Sequence, residues 1–513
     1  MALRTQLDPN VLIGDTIADR PNPAAQKQGL LFYEVNSGDS WILVIDPATG
    51  VRSWEEFGGH GGRVRFTATM LQQLFVGNPG SGANQHAEPI VHVSRQDVVG
   101  MTALNVGRLD FRDSGQGGYV YTGIGQVGGP DVVPGAMVFR GAPLADNLYG
   151  NDIDIGWAPQ LNAAGTNTLS VLSAQEGDNT AQYGVAQSQD NGATFVVLPP
   201  VVPPASTTLD RPWLAMAFAN TLLSYSVADS GVWVFRSDVF GAPQVPISQV
   251  LPASDYRIPE EENETAAPGN LVIDHNNFAG VVPGPAGQPG FRAAFTFTAP
   301  ATPLSDPTLS NQIFVFVSID GGFTWQEKAV FASPPPTLNL TAFAMLSFAP
   351  NGDLWVVWND NTNVFVQRSI DLGTTWSPPA LISTTTTFAR ISQIVATDQG
   401  IAAAFYGTQD PTDAERWQMF YTQNLSGDPA GPWSSPVSVA GVVHTGTVCG
   451  YGSICPSLAD RILLEAFGLD IDSLGYAHIA YTADGFDQTD PLQTARSTFY
   501  AVQTTGPTLG HTN

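Results

Sequence analysis

The chain has 513 residues, 43% of them apolar and only 13% charged, with 52 glycines and 39 prolines. It is too long for a single small module, and its turn-rich, charge-poor balance predicts a β-rich, loop-rich protein. The 46 acidic and 20 basic side chains leave a formal net charge of -26, which excludes a general nucleic-acid binder, because phosphate binding needs a positive face.

Residues 1–21 lack the apolar stretch and small-residue cleavage site of a signal peptide, and no apolar run is long enough to cross a membrane. The chain as it stands is therefore expected neither to insert in a membrane nor to leave the cell by the usual route. Ile17-Ala-Asp19-Arg20-Pro21 leads through Gly29-Leu-Leu-Phe32-Tyr33 to Gly38-Asp-Ser-Trp41 and Ser53-Trp54-Glu55-Glu56, a pattern that predicts a small hairpin unit with aromatic closures over residues 1–60. This stretch resembles a short module of bacteriophage tail-fibre and head-fibre proteins, in which Ala-Asp-Arg-Pro precedes a Phe-Tyr strand and a Trp-containing closing strand. An ordinary β-rich extension is the alternative.

Gly58-Gly-His60-Gly-Gly62 marks a hinge. Beyond it, strand-like runs at 63–67, 90–93 and 119–122 predict a β-rich region over 61–150, expected to dock onto another protein or to mediate oligomerisation.

From residue 151 onward, short β-branched runs recur between Gly, Pro, Asn and Asp, with no room for long helices. Three segments align without gaps: Ser188-Gln-Asp190-Asn-Gly192-Ala-Thr194-Phe195, Ser318-Ile-Asp320-Gly-Gly322-Phe-Thr324-Trp325 and Ser369-Ile-Asp371-Leu-Gly373-Thr-Thr375-Trp376. In each, Ser and Asp side chains can bond the backbone of a tight turn, Gly supplies a positive φ, and the aromatic packs inward. Degenerate copies stand at Ser237–Gly241 and Thr422–Ser426. The spacing, about 50 residues or somewhat more, matches a four-stranded propeller blade, and six units are expected, near 152–206, 208–251, 268–334, 339–385, 387–440 and 462–505.

These segments resemble the Asp-boxes, or BNR repeats, of sialidases and sialidase-like six-bladed β-propellers. The resemblance implies an all-β, six-bladed propeller over 151–513, with the Asp-boxes on outer turns away from any substrate. It also implies a site built from three arginines that hold a carboxylate, an Asp acid/base and a Tyr nucleophile. Tyr256-Arg257-Ile-Pro259 reproduces a sialidase motif, although it follows two expected blades where the family places it ahead of the first. Catalytic candidates are Arg257, Arg390, Arg461, Asp255 and Tyr406; Arg211, Trp417 and Tyr451 are glycan-binding candidates. The complete sialidase set is not recovered. Local pairing of Arg211 with Asp210, and of Arg461 with Asp460 and Glu465, is the alternative to a ring of ligand-binding arginines.

Cys449 and Cys455 have a spacing compatible with one local disulfide, free thiols being the alternative. No cofactor motif or metal-ligand pattern stands out. Three functions are open: a virion structural protein that displays the propeller to host glycans, an exo-sialidase-type glycoside hydrolase, or a protein-docking scaffold. The first places the chain on a virion or extracellular particle surface. Its partners would be other particle proteins, bound through the N-terminal region, and cell-surface glycans, with homo-oligomer formation as a further expectation.

Overall fold

The computed structural model describes the strands within residues 4–56 and most of residues 64–510. Within the latter span it leaves out 71–84, 107–117, 125–126, 130–136, 145–150, 175–181, 259–266, 303–309, 336–337, 341–342, 410–414, 449–462, 464–466 and 484–496. Among the described residues no helix is long and apolar enough to cross a membrane.

Among the described residues the strands form eight sheets. Arg4–Thr5, Val11–Gly14, Leu31–Glu34, Ser40–Ile45 and Arg52–Glu56 make a five-stranded sheet in chain order, its second and third strands parallel. This sheet shares no strand with the others. The remaining seven are four-stranded blades: blade 1 over 85–141, blade 2 over 151–197, blade 3 over 209–252, blade 4 over 267–329, blade 5 over 345–381, blade 6 over 388–445 and blade 7 over 468–505. First strands of neighbouring blades pack against one another all the way round, from blade 7 back to blade 1, so these strands line a central channel.

The fold is the expected all-β propeller, but with seven blades in place of six. Each of the six expected units falls on one of blades 2 to 7. The additional blade lies in the interval 61–150, expected as a separate docking region. Two features hid it. Blade 1 carries no Asp-box, and blade 7 supplies only Gly468–Ile471, Ala477–Ala483 and Ser497–Thr505 from its own stretch of chain. Its outermost strand is Arg65–Met70, paired antiparallel with Ser497–Thr505 from Phe499↔Met70 to Thr505↔Arg65. The ring is thus closed by a strand from ahead of blade 1.

Burial follows from this radial layout. A second strand has a neighbouring blade on each face, so it needs no alternation of apolar and polar residues. Ile401–Thr408, reading Ile-Ala-Ala-Ala-Phe-Tyr-Gly-Thr, is buried throughout, as are Thr221–Ala228 and Arg292–Ala299. Small residues such as Ala402 to Ala404 let adjacent blades approach closely. The outermost strands meet solvent, and Val196–Val197 is exposed.

Each Asp-box forms the turn between the third and fourth strands of its blade. In blade 4, Asp320 Oδ1 accepts from Ser318 Oγ at 2.8 Å and from Thr324 N at 2.9 Å, while Asp320 Oδ2 accepts from Thr324 Oγ1 at 2.6 Å. Asp190 and Asp371 make the same bonds in blades 2 and 5. Gly322 adopts φ 94°, which only glycine takes without strain, and its carbonyl accepts from Trp325 Nε1 at 2.9 Å. These turns stand at the end of the ring where the inner strands finish.

Candidate functional site

The inner strands enclose a central cavity of about 320 Å³ to which all seven blades contribute. A polar side chain recurs on the inner strands and stitches one blade to the next. Asp154 of blade 2 accepts from Leu214 N of blade 3 at 2.8 Å and from Ile155 N at 2.8 Å. Asn270 of blade 4 both accepts from Leu346 N and donates to Leu346 O, at 2.7 and 2.9 Å, across to blade 5. Ser347 of blade 5 accepts from Ala396 N of blade 6 at 3.0 Å. Asp470 of blade 7 accepts from Val93 N of blade 1 at 2.7 Å, which continues the series across the closure.

Two of these clamps are carboxylates, and both bear on one histidine. His92 Nδ1 lies 3.4 Å from Asp470 Oδ2, and the His92 side chain remains 45% exposed, facing the cavity. Burial lowers its pKa, but the Asp470 contact and the Asp470 and Asp154 charges outweigh that and raise it. Asp154 is 4% exposed, and burial pushes its carboxyl up to about 6 against the opposing pull of His92 and of the Leu214 and Ile155 amides. Trp157 Nε1 donates to the His92 carbonyl at 3.0 Å, fixing the strand that carries the imidazole.

At the mouth where the inner strands end, Arg95 of blade 1 reaches to blade 4 and donates from Nη2 to Asn276 Oδ1 at 3.2 Å. His275, next to it, is pushed down to about 4 by burial and by the Arg95 charge. The lining thus combines hydrogen-bonding groups with the aromatic and aliphatic surfaces of Trp157, Trp213 and Phe348.

Most residues singled out in the sequence stand elsewhere. Arg257 is 6% exposed and pairs with Asp255 at 2.8 Å and with Glu327, on the outermost strand of blade 4, at 2.9 Å. Its guanidinium lies 4.4 Å from the Phe314 ring, and its hydrogen bonds hold the Asp255 carboxyl below the usual range. Arg211 sits at the opposite mouth, where the inner strands begin, with its guanidinium 4.1 Å from the Phe343 ring. Arg390 stands 5.6 Å from the ring of Trp417, which is itself 2% exposed and donates to Gly446 O at 2.9 Å. Tyr406 is fully buried on the second strand of blade 6, where its hydroxyl accepts from Thr482 N at 2.9 Å and burial raises its pKa. The structure brings Arg257 and Asp255 together, but places none of Arg211, Arg257, Arg390, Asp255 or Tyr406 on the wall of the central cavity. Arg461, Tyr451, Cys449 and Cys455 lie outside the described residues.

The residues that do line the cavity were visible as anomalies. Asp154 and Asp470 interrupt apolar inner strands as Ile153-Asp154-Ile155 and Leu469-Asp470-Ile471, where a charge is costly unless it is paired or hydrogen-bonded. Among the described residues no three metal-ligating side chains converge.

No protein-family model matches the chain, and no curated protein does. Similar solved structures include an α-L-arabinofuranosidase from Fusarium graminearum, at 10% identity over 64% of this chain and 89% of that one, TM-score 0.42. The NanB sialidase from Streptococcus pneumoniae is similar at 10% identity over 94% and 91%, TM-score 0.39. A protein of unknown function from Dyadobacter fermentans is similar at 13% identity over 70% and 95%, TM-score 0.40. The fold assignment stands on the strand order of this chain itself.

Proposed function

We propose that the protein is a carbohydrate-active propeller of the glycoside-hydrolase type, which takes one sugar unit into the central cavity. The carrying observation is the convergence of His92, Asp470 and Asp154 on one cavity. Glycosyl transfer needs a proton donor and a carboxylate, and a titratable pair whose environments differ is how one site supplies both. His92, oriented by Asp470 and exposed to the cavity, is the acid/base group, and Asp154 is the second carboxyl. The volume suits a monosaccharide, and an amphipathic wall suits a ligand with hydroxyls at its edge and an apolar ring face. This reading does not use Arg257, Arg390 or Tyr406.

The test is a panel of 4-methylumbelliferyl glycosides with the full chain, its His92→Gln variant and titration calorimetry of the parent sugars. Turnover that falls roughly 10²- to 10⁴-fold in His92→Gln, with the fold intact, is expected. Absence of both turnover and saccharide binding in a folded sample overturns the reading.

A second reading concerns the five-stranded N-terminal sheet. Among the described residues its strands pair with one another and with no blade, which supports an attachment unit that displays the propeller on a larger particle. A chain lacking residues 1–63 should then stay folded but fail to join that particle, and unchanged incorporation would remove the attachment role.

A further inference from the structure

Arg95 differs from the arginines that pair with carboxylates. Arg140 also has a neutral partner, bonding Thr122 within blade 1, but of the two it is Arg95 that stands at the mouth of the central cavity. Arg236 pairs with Asp238, Arg257 with Asp255 and Glu327, Arg292 with Asp274 and Arg368 with Asp353. In a chain of net charge -26, carboxylates are plentiful, and a guanidinium normally finds one. Among the described residues, Arg95 has a single hydrogen-bond partner, the neutral Asn276 side chain, and no carboxylate. The nearby carboxylates are engaged elsewhere. Asp97 accepts from Ser473 N and Oγ at 2.8 and 2.7 Å, Asp274 from Asn276 N and Asn277 N at 3.1 and 2.9 Å, and Asp470 from Val93 N at 2.7 Å.

The position of Arg95 matters as much as its lack of a counter-ion. Blades 1 and 4 stand on opposite sides of the seven-bladed ring, so the Arg95–Asn276 bond crosses the channel mouth. Asn276 occupies one of five guanidinium N–H donors, which leaves a fork for a planar anion. His275, beside it, adds a hydrogen-bonding ring.

We infer that Arg95, held over the mouth by Asn276, is the specificity-determining residue of the central cavity and selects a saccharide bearing a carboxylate or sulfate group. This rests on the proposed function and names its ligand class. Titration calorimetry on the full chain would compare glucuronate, glucose 6-sulfate and glucose, and galacturonate with galactose, in wild type, Arg95→Gln and Asn276→Ala. The anionic sugars should bind wild type roughly tenfold more tightly than their neutral partners, the contribution of one charge-assisted contact. Arg95→Gln should erase that preference, whereas Asn276→Ala, which retains the guanidinium, should keep most of it. Preference for the uronates alone identifies a carboxylate ligand, and preference for glucose 6-sulfate alone identifies a sulfate. Equal affinity for charged and neutral sugars, or a preference that survives Arg95→Gln, overturns the inference while the saccharide site stands. Binding of no sugar by a folded sample overturns the site and the inference together.

Discussion

His478 Nε2 lies 3.1 Å from Asp472 Oδ2, with both side chains fully buried at the seam between blade 7 and blade 1. With Nε2 donating to the carboxylate, Nδ1 accepts from the Tyr500 hydroxyl at 2.6 Å. Asp472 also accepts from Gly128 N of blade 1 at 2.6 Å and from Leu474 N and Tyr476 N at 3.0 and 2.9 Å. Removing a partner from such a network strands buried polar groups, so Asp472→Ala should cost about 3–5 kcal/mol in urea unfolding. A loss under about 1 kcal/mol would show that water replaces the carboxylate and that the seam is held by its strands alone.

The same seam depends on Arg65–Met70, which completes blade 7. Deleting residues 1–63 removes the N-terminal sheet and spares that strand; deleting 1–70 leaves blade 7 with three strands and an exposed edge. The shorter deletion should leave the propeller's melting temperature within a few degrees, and the longer one should lower it by roughly 10 °C or more. Equal melting temperatures would mean that the ring holds without its closing strand.

The two closures explain what the sequence disclosed. Asp-boxes are local, since Ser318, Asp320, Gly322 and Thr324 contact one another within a single turn, so they could be read directly, and blades 2 to 7 followed from their spacing and that of their degenerate copies. Blade 1 has no such turn, and the partner of Ser497–Thr505 lies more than four hundred positions away, a pairing that no local pattern reports. The site was less legible for a related reason. Arg257 stood within a recognisable four-residue motif yet folds against the outermost strand of blade 4, whereas Asp154 and Asp470 show locally only as single carboxylates in apolar runs, and they meet His92 only because the ring brings blades 1, 2 and 7 round one axis.

Arg257 is accordingly expected to matter for stability and not for ligand. Arg257→Ala removes two ion pairs and the contact with Phe314 and leaves Glu327 and Asp255 without their cation. A loss of about 2–4 kcal/mol in urea unfolding, with sugar affinity unchanged by calorimetry, is the expected result. Sugar binding abolished at unchanged stability would relocate the site from the channel to the rim.

Asp154 gives the propeller a pH dependence of unusual sign. Its folded-state carboxyl titrates at about 6 against an ordinary 3.8, so between these values the native protein binds more protons than the unfolded chain. The stability linked to this group is therefore largest in acid and declines as pH rises from about 4 to 6, by about 3 kcal/mol for a shift of about two pH units. Asp190 and Asp371 act oppositely. Burial raises them, but their Thr and Ser hydrogen bonds together prevail and hold them low, so what they contribute is present above pH 3.8 and lost as pH falls further. Asp154→Asn cannot ionise and retains one acceptor for the Leu214 or Ile155 amide. Urea midpoints measured from pH 4 to pH 8 should show the variant gaining on wild type up to about pH 6, with the difference constant above it. A difference that is flat from pH 4, or that shrinks as pH rises, would show that the two amides outweigh burial and that Asp154 stays ionised throughout this range.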